Sequence, residues 1–155
     1  RIYQLKRMER NKPLAFVCSD LSHISEYARV SDFACRVMKH LVPGPYTFVL
    51  PASRLVPKML ESKRKTIGLR VPDHPIVQAI IRELGRPIIS TSANPPVTNV
   101  PFNDPEELDG YFGNALDVII DGGPCGLEPS TVLELTGAEV IVTRQGKGPT
   151  DHLLS

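Results

Sequence analysis

Short apolar runs alternate with helix-like segments along most of this chain. Runs with the period and residue types of strands cover 14–18, 46–50, 66–71, 87–91, 117–120, 131–135 and 139–143. Apolar residues at helical spacing predict helices over 21–28, 33–41 and 74–84, and a further helix that begins after Asp104. This alternation is typical of an α/β protein rather than of separate helical and sheet halves.

Turn and capping residues predict where several of these elements end. Asp32 and Asp104 are predicted to cap the second and the last helix, and Gly85 to end helix 74–84. Segment 94–103 is rich in Pro, Asn and Thr and has no apolar period. We therefore expect a loop there, and its length favours a functional role.

Composition limits the class of protein without indicating an activity. The chain has 155 residues, of which 41% are hydrophobic and 23% charged, so we expect a single globular domain over 1–155. No apolar run approaches the ~20 residues that a membrane helix needs, and the first residues lack a secretion signal. The three cysteines have no paired spacing, which indicates reduced thiols and a cytoplasmic protein. The four histidines are equally scattered, so the spacing predicts no metal site.

Basic residues are concentrated in two parts of the chain. The net charge is only +1, so any site that attracts an anion must be local. Solvated faces account for part of each cluster. The residues concerned are Arg1, Lys6, Arg7, Arg10 and Lys12 near the start, and Lys63, Arg64, Lys65 and Arg70 in the middle.

Two strands carry polar side chains that suit a ligand. Strand 87–91 ends in Thr91 and is followed by Ser92 and Asn94, and the carboxyl ends of strands are where open α/β sheets bind ligands. The same side chains are equally suited to capping and turning the chain. Arg70 interrupts an apolar strand and needs an anion, which can be a phosphate or an internal carboxylate.

A glycine-rich segment forms a third candidate. Residues 121–126 contain three glycines and are followed by Ser130 and Thr131, so the backbone can approach a ligand closely. The segment lacks the Gly-Lys-Ser/Thr ending of a P-loop and the spacing of a dinucleotide fingerprint.

The order of these motifs resembles the YrdC/YciO family, which includes the L-threonylcarbamoyladenylate synthases. The resemblance runs from residue 1 to about 148. It is carried by Lys6, Lys12-Pro13-Leu14, Pro43-Gly44-Pro45-Tyr46-Thr47-Phe48, Gly68-Leu69-Arg70-Val71-Pro72, Thr91-Ser92-Ala93-Asn94, Asp121-Gly122-Gly123, Ser130-Thr131-Val132 and Arg144-Gln145-Gly146.

The resemblance implies a fold and a reaction. The fold would be a twisted mixed β-sheet with flanking helices and a basic concave groove. The reaction would join ATP, L-threonine and bicarbonate into threonylcarbamoyl-AMP with release of pyrophosphate, the first step of the threonylcarbamoyladenosine modification of tRNA. Attack of a carbamate on the α-phosphorus needs positioning and neutralisation of phosphate charge.

The resemblance also implies site residues. Lys6, Ser92 and Asn94 would take part in catalysis, with Asn94 and ATP as ligands of a possible Mg²⁺ ion. The family's K-x-R pattern has Met8 in place of its arginine here. The residues that would bind the nucleotide and its phosphates are Lys6, Arg70, Thr91, Ser92, Asn94, Ser130, Thr131 and Arg144.

Two features set this chain apart from the family's synthases. Met8 is one, and the other is that the family's early strand and P-T-D-T turn precede anything in this sequence, so we expect an N-terminally incomplete domain. Both favour the YciO branch. The alternative function is a module of the same fold that binds double-stranded RNA or tRNA without synthase activity.

Overall fold

A computed structural model describes residues 1–98 and 100–153 of the chain. The chain forms two compact units, one from Arg1–Lys12 and Thr91–Glu128, the other from Pro13–Ser90 and the described residues from Pro129 onward. All the strands lie in the second unit, which we call the sheet unit. The first is called the loop unit. The expected single domain stays a prediction.

The sheet unit contains six strands in the order β4-β1-β3-β2-β5-β6. β1 pairs with β3 and β2 with β5 in parallel, whereas β1–β4, β2–β3 and β5–β6 are antiparallel. The sheet is therefore mixed, and the predicted α/β class is confirmed. The strands are β1 Ala15–Val17, β2 Tyr46–Pro51, β3 Thr66–Arg70, β4 Ile88–Ser90, β5 Thr131–Glu134 and β6 Ile141–Arg144.

Strand register separates the sheet into an apolar face and a polar one. Phe16, Leu69, Phe48 and Leu133 are paired across neighbouring strands, and all four are buried. Side chains alternate between faces along a strand, so the neighbouring positions point to the opposite face. Small, polar and basic residues occupy many of those positions, which makes this second face the candidate for ligand binding.

Three α-helices belong to the sheet unit, and the first of them packs on the apolar face of the sheet. They are α2 Leu21–Tyr27, α3 Asp32–Met38 and α4 Pro75–Leu84, and they bury Ile24, Ala34, Met38, Gln78 and Ile81. The Tyr27 ring lies 5.5 Å from the Phe16 ring, centroid to centroid, in an edge contact. Gly85 ends α4 in the left-handed conformation, as predicted, with φ of 68°.

The second predicted helix, 33–41, is one turn too long. The residue that caps α3 is Ser31, whose Oγ accepts a hydrogen bond from the Ala34 N–H, and Asp32 is the first helical residue. The helix ends at Met38. An acidic residue suits the first turn as well as the cap, so the sequence alone did not separate Ser31 from Asp32.

The loop unit contains two α-helices among its described residues, α1 Ile2–Leu5 and α5 Pro105–Phe112. Asp104 caps α5 by accepting a hydrogen bond from the Glu106 N–H, as predicted. The predicted strand 117–120 is wrong: no strand forms there, and Val118 and Ile120 are 73% and 57% exposed. Strand propensity depends on pairing and burial, and this segment has neither.

Three short 3₁₀ helices complete the described elements: Lys58–Leu60, Gly113–Ala115 and Asp151–Leu153. Across 1–98 and 100–153, no helix is long and apolar enough to cross a bilayer.

Candidate functional site

A group of polar side chains surrounds the Lys6 ammonium in the loop unit. Lys6 Nζ lies 2.6 Å from Asn94 Oδ1, 2.7 Å from the Ser92 carbonyl, 3.2 Å from Ser92 Oγ and 3.3 Å from Thr91 Oγ1. We call Lys6, Thr91, Ser92 and Asn94 the lysine cluster. Residues far apart in sequence are thus brought together.

The loop that follows β4 in the chain arranges the acceptors of this cluster. Ser92 Oγ donates to Asn94 Oδ1 at 2.6 Å, and Asn94 Nδ2 donates to the Thr98 carbonyl at 2.9 Å and the Pro95 carbonyl at 3.3 Å. The amide of Asn94 therefore ties its own loop together while its oxygen faces Lys6. The loop predicted over 94–103 is confirmed for its described residues.

Lys6 occupies the end of α1 rather than its interior. The helix ends at Leu5, Lys6 is its C-cap, and Arg7 has a φ of 48°. The left-handed conformation is strained for a residue with a side chain. Met8, at the family's arginine position, is half-buried, and Arg7 is exposed. Arg7 therefore lies beyond the end of the helix.

The electrostatics of the lysine cluster favour an anion. The described residues form two salt bridges, Arg1–Asp117 and Arg64–Glu134, and neither involves Lys6. Burial, with a smaller contribution from the Lys12 charge, lowers the pKa of Lys6 below its ordinary value. Lys6 donates only to neutral oxygens, so its positive charge has no carboxylate to balance it.

A second group of polar residues lies on the polar face of the sheet. Arg70 ends β3, Thr47 is in β2, Arg144 ends β6, and Ser130 precedes β5. Thr47 and Arg144 are both paired with Val132 of β5 and so share its face. The Thr47 methyl would lie 3.4 Å from a Cβ at Gly68, two residues before Arg70, which places Arg70 on the same face. We call Arg70, Thr47, Ser130 and Arg144 the arginine face.

Arg70 has no internal counter-ion. Its Nε is buried and has no hydrogen-bond partner, and it takes part in neither salt bridge of the described residues. Burial first, and the Arg144 charge second, lower the pKa of Arg70. Of the two partners that the sequence left open, an internal carboxylate is thus ruled out for the part of the chain that is described.

Arg144 is held in place by the residue before β5. Its Nη2 and Nε donate to the Ser130 carbonyl at 2.8 and 3.2 Å, and Nη2 lies 3.3 Å from Ser130 Oγ. Ser130 Oγ in turn lies 2.8 Å from Thr47 Oγ1. The guanidinium of Arg144 is therefore oriented by hydrogen bonds without being neutralised.

Thr131 occupies a different environment from the one expected for a phosphate ligand. It is fully buried, its Oγ1 donates to the Gly148 carbonyl at 2.6 Å, and the same atom accepts from the Gly146 N–H at 3.0 Å. Its hydroxyl thus donates one hydrogen bond and accepts another inside the fold. In this conformation Thr131 supports neighbouring backbone and offers nothing to a ligand.

Sequence reasoning overlooked Thr47 as a site residue. It lies in the motif at 43–48. The signal was available, since a period of two along β2 places Thr47 opposite the apolar Tyr46 and Phe48. In the glycine-rich segment, Asp121 Oδ1 accepts a hydrogen bond from the Gly123 N–H at 2.9 Å, and Gly123 has a φ of 85°.

No metal centre is formed by the described residues. Among them no group of three or more His, Cys, Asp or Glu side chains could hold an ion. Asn94 Oδ1, the expected contact to Mg²⁺, faces the Lys6 ammonium at 2.6 Å. A cation bound directly to that oxygen would adjoin another positive charge, so the lysine cluster in this arrangement does not fit a protein-bound Mg²⁺.

Comparison with known proteins gives a consistent result. A family model described as Telomere recombination, covering Sua5, YciO and YrdC, matches residues 1–146. YciO of Escherichia coli K12 is 41% identical over 155 residues, covering 99% of this chain and 75% of YciO. The crystal structure of E. coli YciO aligns with a TM-score of 0.92.

Two further relatives carry more informative names. A threonylcarbamoyl-AMP synthase of Shigella boydii is 30% identical over 153 residues, covering 94% of this chain and 77% of that protein. The structure of P. abyssi Sua5 complexed with L-threonine has a TM-score of 0.90 at 28% identity, covering 98% of this chain and 45% of Sua5. The higher identity to YciO supports the YciO branch.

Proposed function

The chain belongs to the Sua5/YciO/YrdC family, and on that premise we propose that it binds ATP and forms threonylcarbamoyl-AMP from ATP, L-threonine and bicarbonate. One observation carries the proposal: the arginine face presents two guanidinium groups with no carboxylate, and the Nε of Arg70 is buried without a partner. A buried donor without a hydrogen-bond partner is costly. A ligand phosphate would supply the missing negative charge and match the planar donors of arginine.

The amino-acid substrate is proposed from the family. Relatives are named threonylcarbamoyl-AMP synthase, and the Sua5 structure is a complex with L-threonine. The described residues of this chain do not by themselves select threonine. They support the nucleotide half of the reaction, and the choice of amino acid rests on the relatives.

The reaction requires little covalent chemistry from the protein itself. The amino group of L-threonine and bicarbonate form a carbamate and water, a carbamate oxygen attacks the α-phosphorus, and pyrophosphate leaves. The carbamate and the phosphates of ATP are both negatively charged. Positive groups must therefore offset their repulsion as the nucleophile approaches. In this proposal Arg70 and Arg144 bind phosphate oxygens, with Arg144 already oriented by the Ser130 carbonyl.

The lysine cluster, taken by itself, also has the chemistry of an anion site. The Lys6 ammonium has a lowered pKa from partial burial and is surrounded by neutral oxygens. In this proposal an arriving phosphate would exchange with one or more of those oxygens. A role of Asn94 in a magnesium shell would require its amide oxygen to leave Lys6.

A pyrophosphate-release assay tests the proposed function. The full-length protein is incubated with ATP, L-threonine and bicarbonate, and each substrate is omitted in turn. The proposal expects release that requires all three, together with a threonylcarbamoyl-AMP product detected by mass spectrometry. ATP hydrolysis that is indifferent to threonine and bicarbonate, or no release at all, would contradict it.

A further inference from the structure

Residues 145–150, which follow β6 and which we call the strap, are fastened to the sheet by a dense set of hydrogen bonds. Thr131 Oγ1 binds the Gly148 carbonyl and the Gly146 N–H. The Lys147 N–H donates to the Pro129 carbonyl at 2.9 Å, and Tyr46 Oη donates to the Pro149 carbonyl at 2.9 Å.

Hydrogen bonds between its own residues also stabilise the strap. Gln145 Nε2 donates to the Gly148 carbonyl at 2.9 Å and to the Gly146 carbonyl at 3.0 Å. Thr150 Oγ1 donates to Gln145 Oε1 at 2.6 Å, so the amide of Gln145 is bound at both ends. Thr131 and Gln145 therefore meet at one carbonyl, that of Gly148.

The two glycines show how closely the strap approaches its support. A Cβ on Gly146 would collide with the carbonyl groups of Pro129 and Ser130, and one on Gly148 would collide with the Tyr46 ring. The Ser130 carbonyl is the group that holds the Arg144 guanidinium. The strap is thus packed against the atom that orients one of the two arginines of the arginine face.

From these contacts we propose that Thr131 is a positioning residue: it clamps the strap against Ser130 and so fixes the Arg144 guanidinium for phosphate, with Gln145 as the second clamp. The inference rests on the proposed function, because it assumes that Arg144 binds the phosphates of ATP. It assigns Thr131 a role through Arg144 and not a contact with the ligand.

Matched variants separate the hydroxyl from the shape of this side chain. Thr131→Val keeps the volume and loses the hydroxyl, whereas Thr131→Ser keeps the hydroxyl. Titration calorimetry with ATP should show affinity about tenfold weaker for Thr131→Val, the scale of one lost charge-assisted contact. Thr131→Ser should bind ATP within about twofold of the wild type. Thr143→Val, on an exposed position of β6, is the control and should leave the affinity unchanged.

A double-mutant cycle with Arg144→Ala identifies the positioning role. If Thr131 acts through Arg144, the double variant should bind ATP no more weakly than Arg144→Ala alone, so the two losses are not additive. Fully additive losses, or a Thr131→Ser variant as weak as Thr131→Val, would overturn the inference. The proposed function is judged separately: if Arg144→Ala itself binds ATP normally, the arginine face is not the phosphate site.

Discussion

Replacement of Arg70 by methionine should make the fold more stable and the ATP site weaker. The buried Nε of Arg70 has no partner, and an unsatisfied buried polar group costs about 1–3 kcal/mol. Methionine keeps much of the aliphatic length and removes both the orphan group and the unbalanced charge. A gain of about 1 kcal/mol in the free energy of unfolding would raise the Tm by about 2–4 °C in a domain of this size.

ATP affinity should change in the opposite direction. A charged hydrogen bond is worth about 1.5–3 kcal/mol, so the Kd for ATP should rise by about 10- to 150-fold. Calorimetric unfolding without ligand and titration with ATP measure the two effects. Arg82→Met, at an exposed position of α4, is the matched control and should change neither value. A lower Tm for Arg70→Met with unchanged ATP affinity would mean that Arg70 is structural, and the reasoning would be refuted.

Four further predictions follow from other parts of the molecule. Replacing Ser92 and Asn94 together by alanine removes two acceptors of the lysine cluster and should weaken ATP binding by at least about tenfold with a nearly unchanged Tm; a Tm several degrees lower with full affinity would make the pair structural. Met8→Arg should raise pyrophosphate release in the full-length protein, and an unchanged rate would mean that more than this residue separates the branches. Burial, with the nearby acidic residues, raises the pKa of the Cys18 thiol to about 12, so a thiol reagent should modify only the two exposed cysteines of the native chain; rapid labelling of all three would contradict this. Hydrogen bonds lower the pKa of Glu134 in the folded state, so its contribution to stability is present above the unfolded-state pKa and is lost as the pH falls through the folded-state pKa. Glu134→Gln should therefore lower the Tm at neutral pH but not in strong acid. A difference in Tm that does not depend on pH would contradict this.

The fold was predictable where local pattern and tertiary structure agree. The β-branched, aromatic and apolar residues of 46–50 and 66–71 predicted β2 and β3, and these strands do lie in the interior of the sheet. Segment 117–120 has the same residue types and forms no strand, since Val118 and Ile120 find neither a pairing strand nor a core. Strand order was not predictable from the sequence, because pairing depends on contacts distant in sequence.

The sequence was a better guide to which residues belong to the candidate site than to what each of them does. The sequence motifs named Lys6, Ser92 and Asn94, which the structure brings into contact although they are more than eighty positions apart. The sequence could not show that the Thr131 hydroxyl is hydrogen-bonded to the strap, because its partners there are backbone groups of two glycines. A hydroxyl bound to backbone and one that faces a ligand look alike in a motif.

Titration of ATP into the wild-type, full-length protein at low and at moderate salt tests the central claim most directly. The account predicts saturable binding of ATP that weakens as salt is added, since arginine and lysine charges meet the phosphates. Heat of binding absent at both salt concentrations would contradict it. If the same protein then bound double-stranded RNA with a steep salt dependence, the chain would be an RNA-binding module and not a nucleotide-activating enzyme.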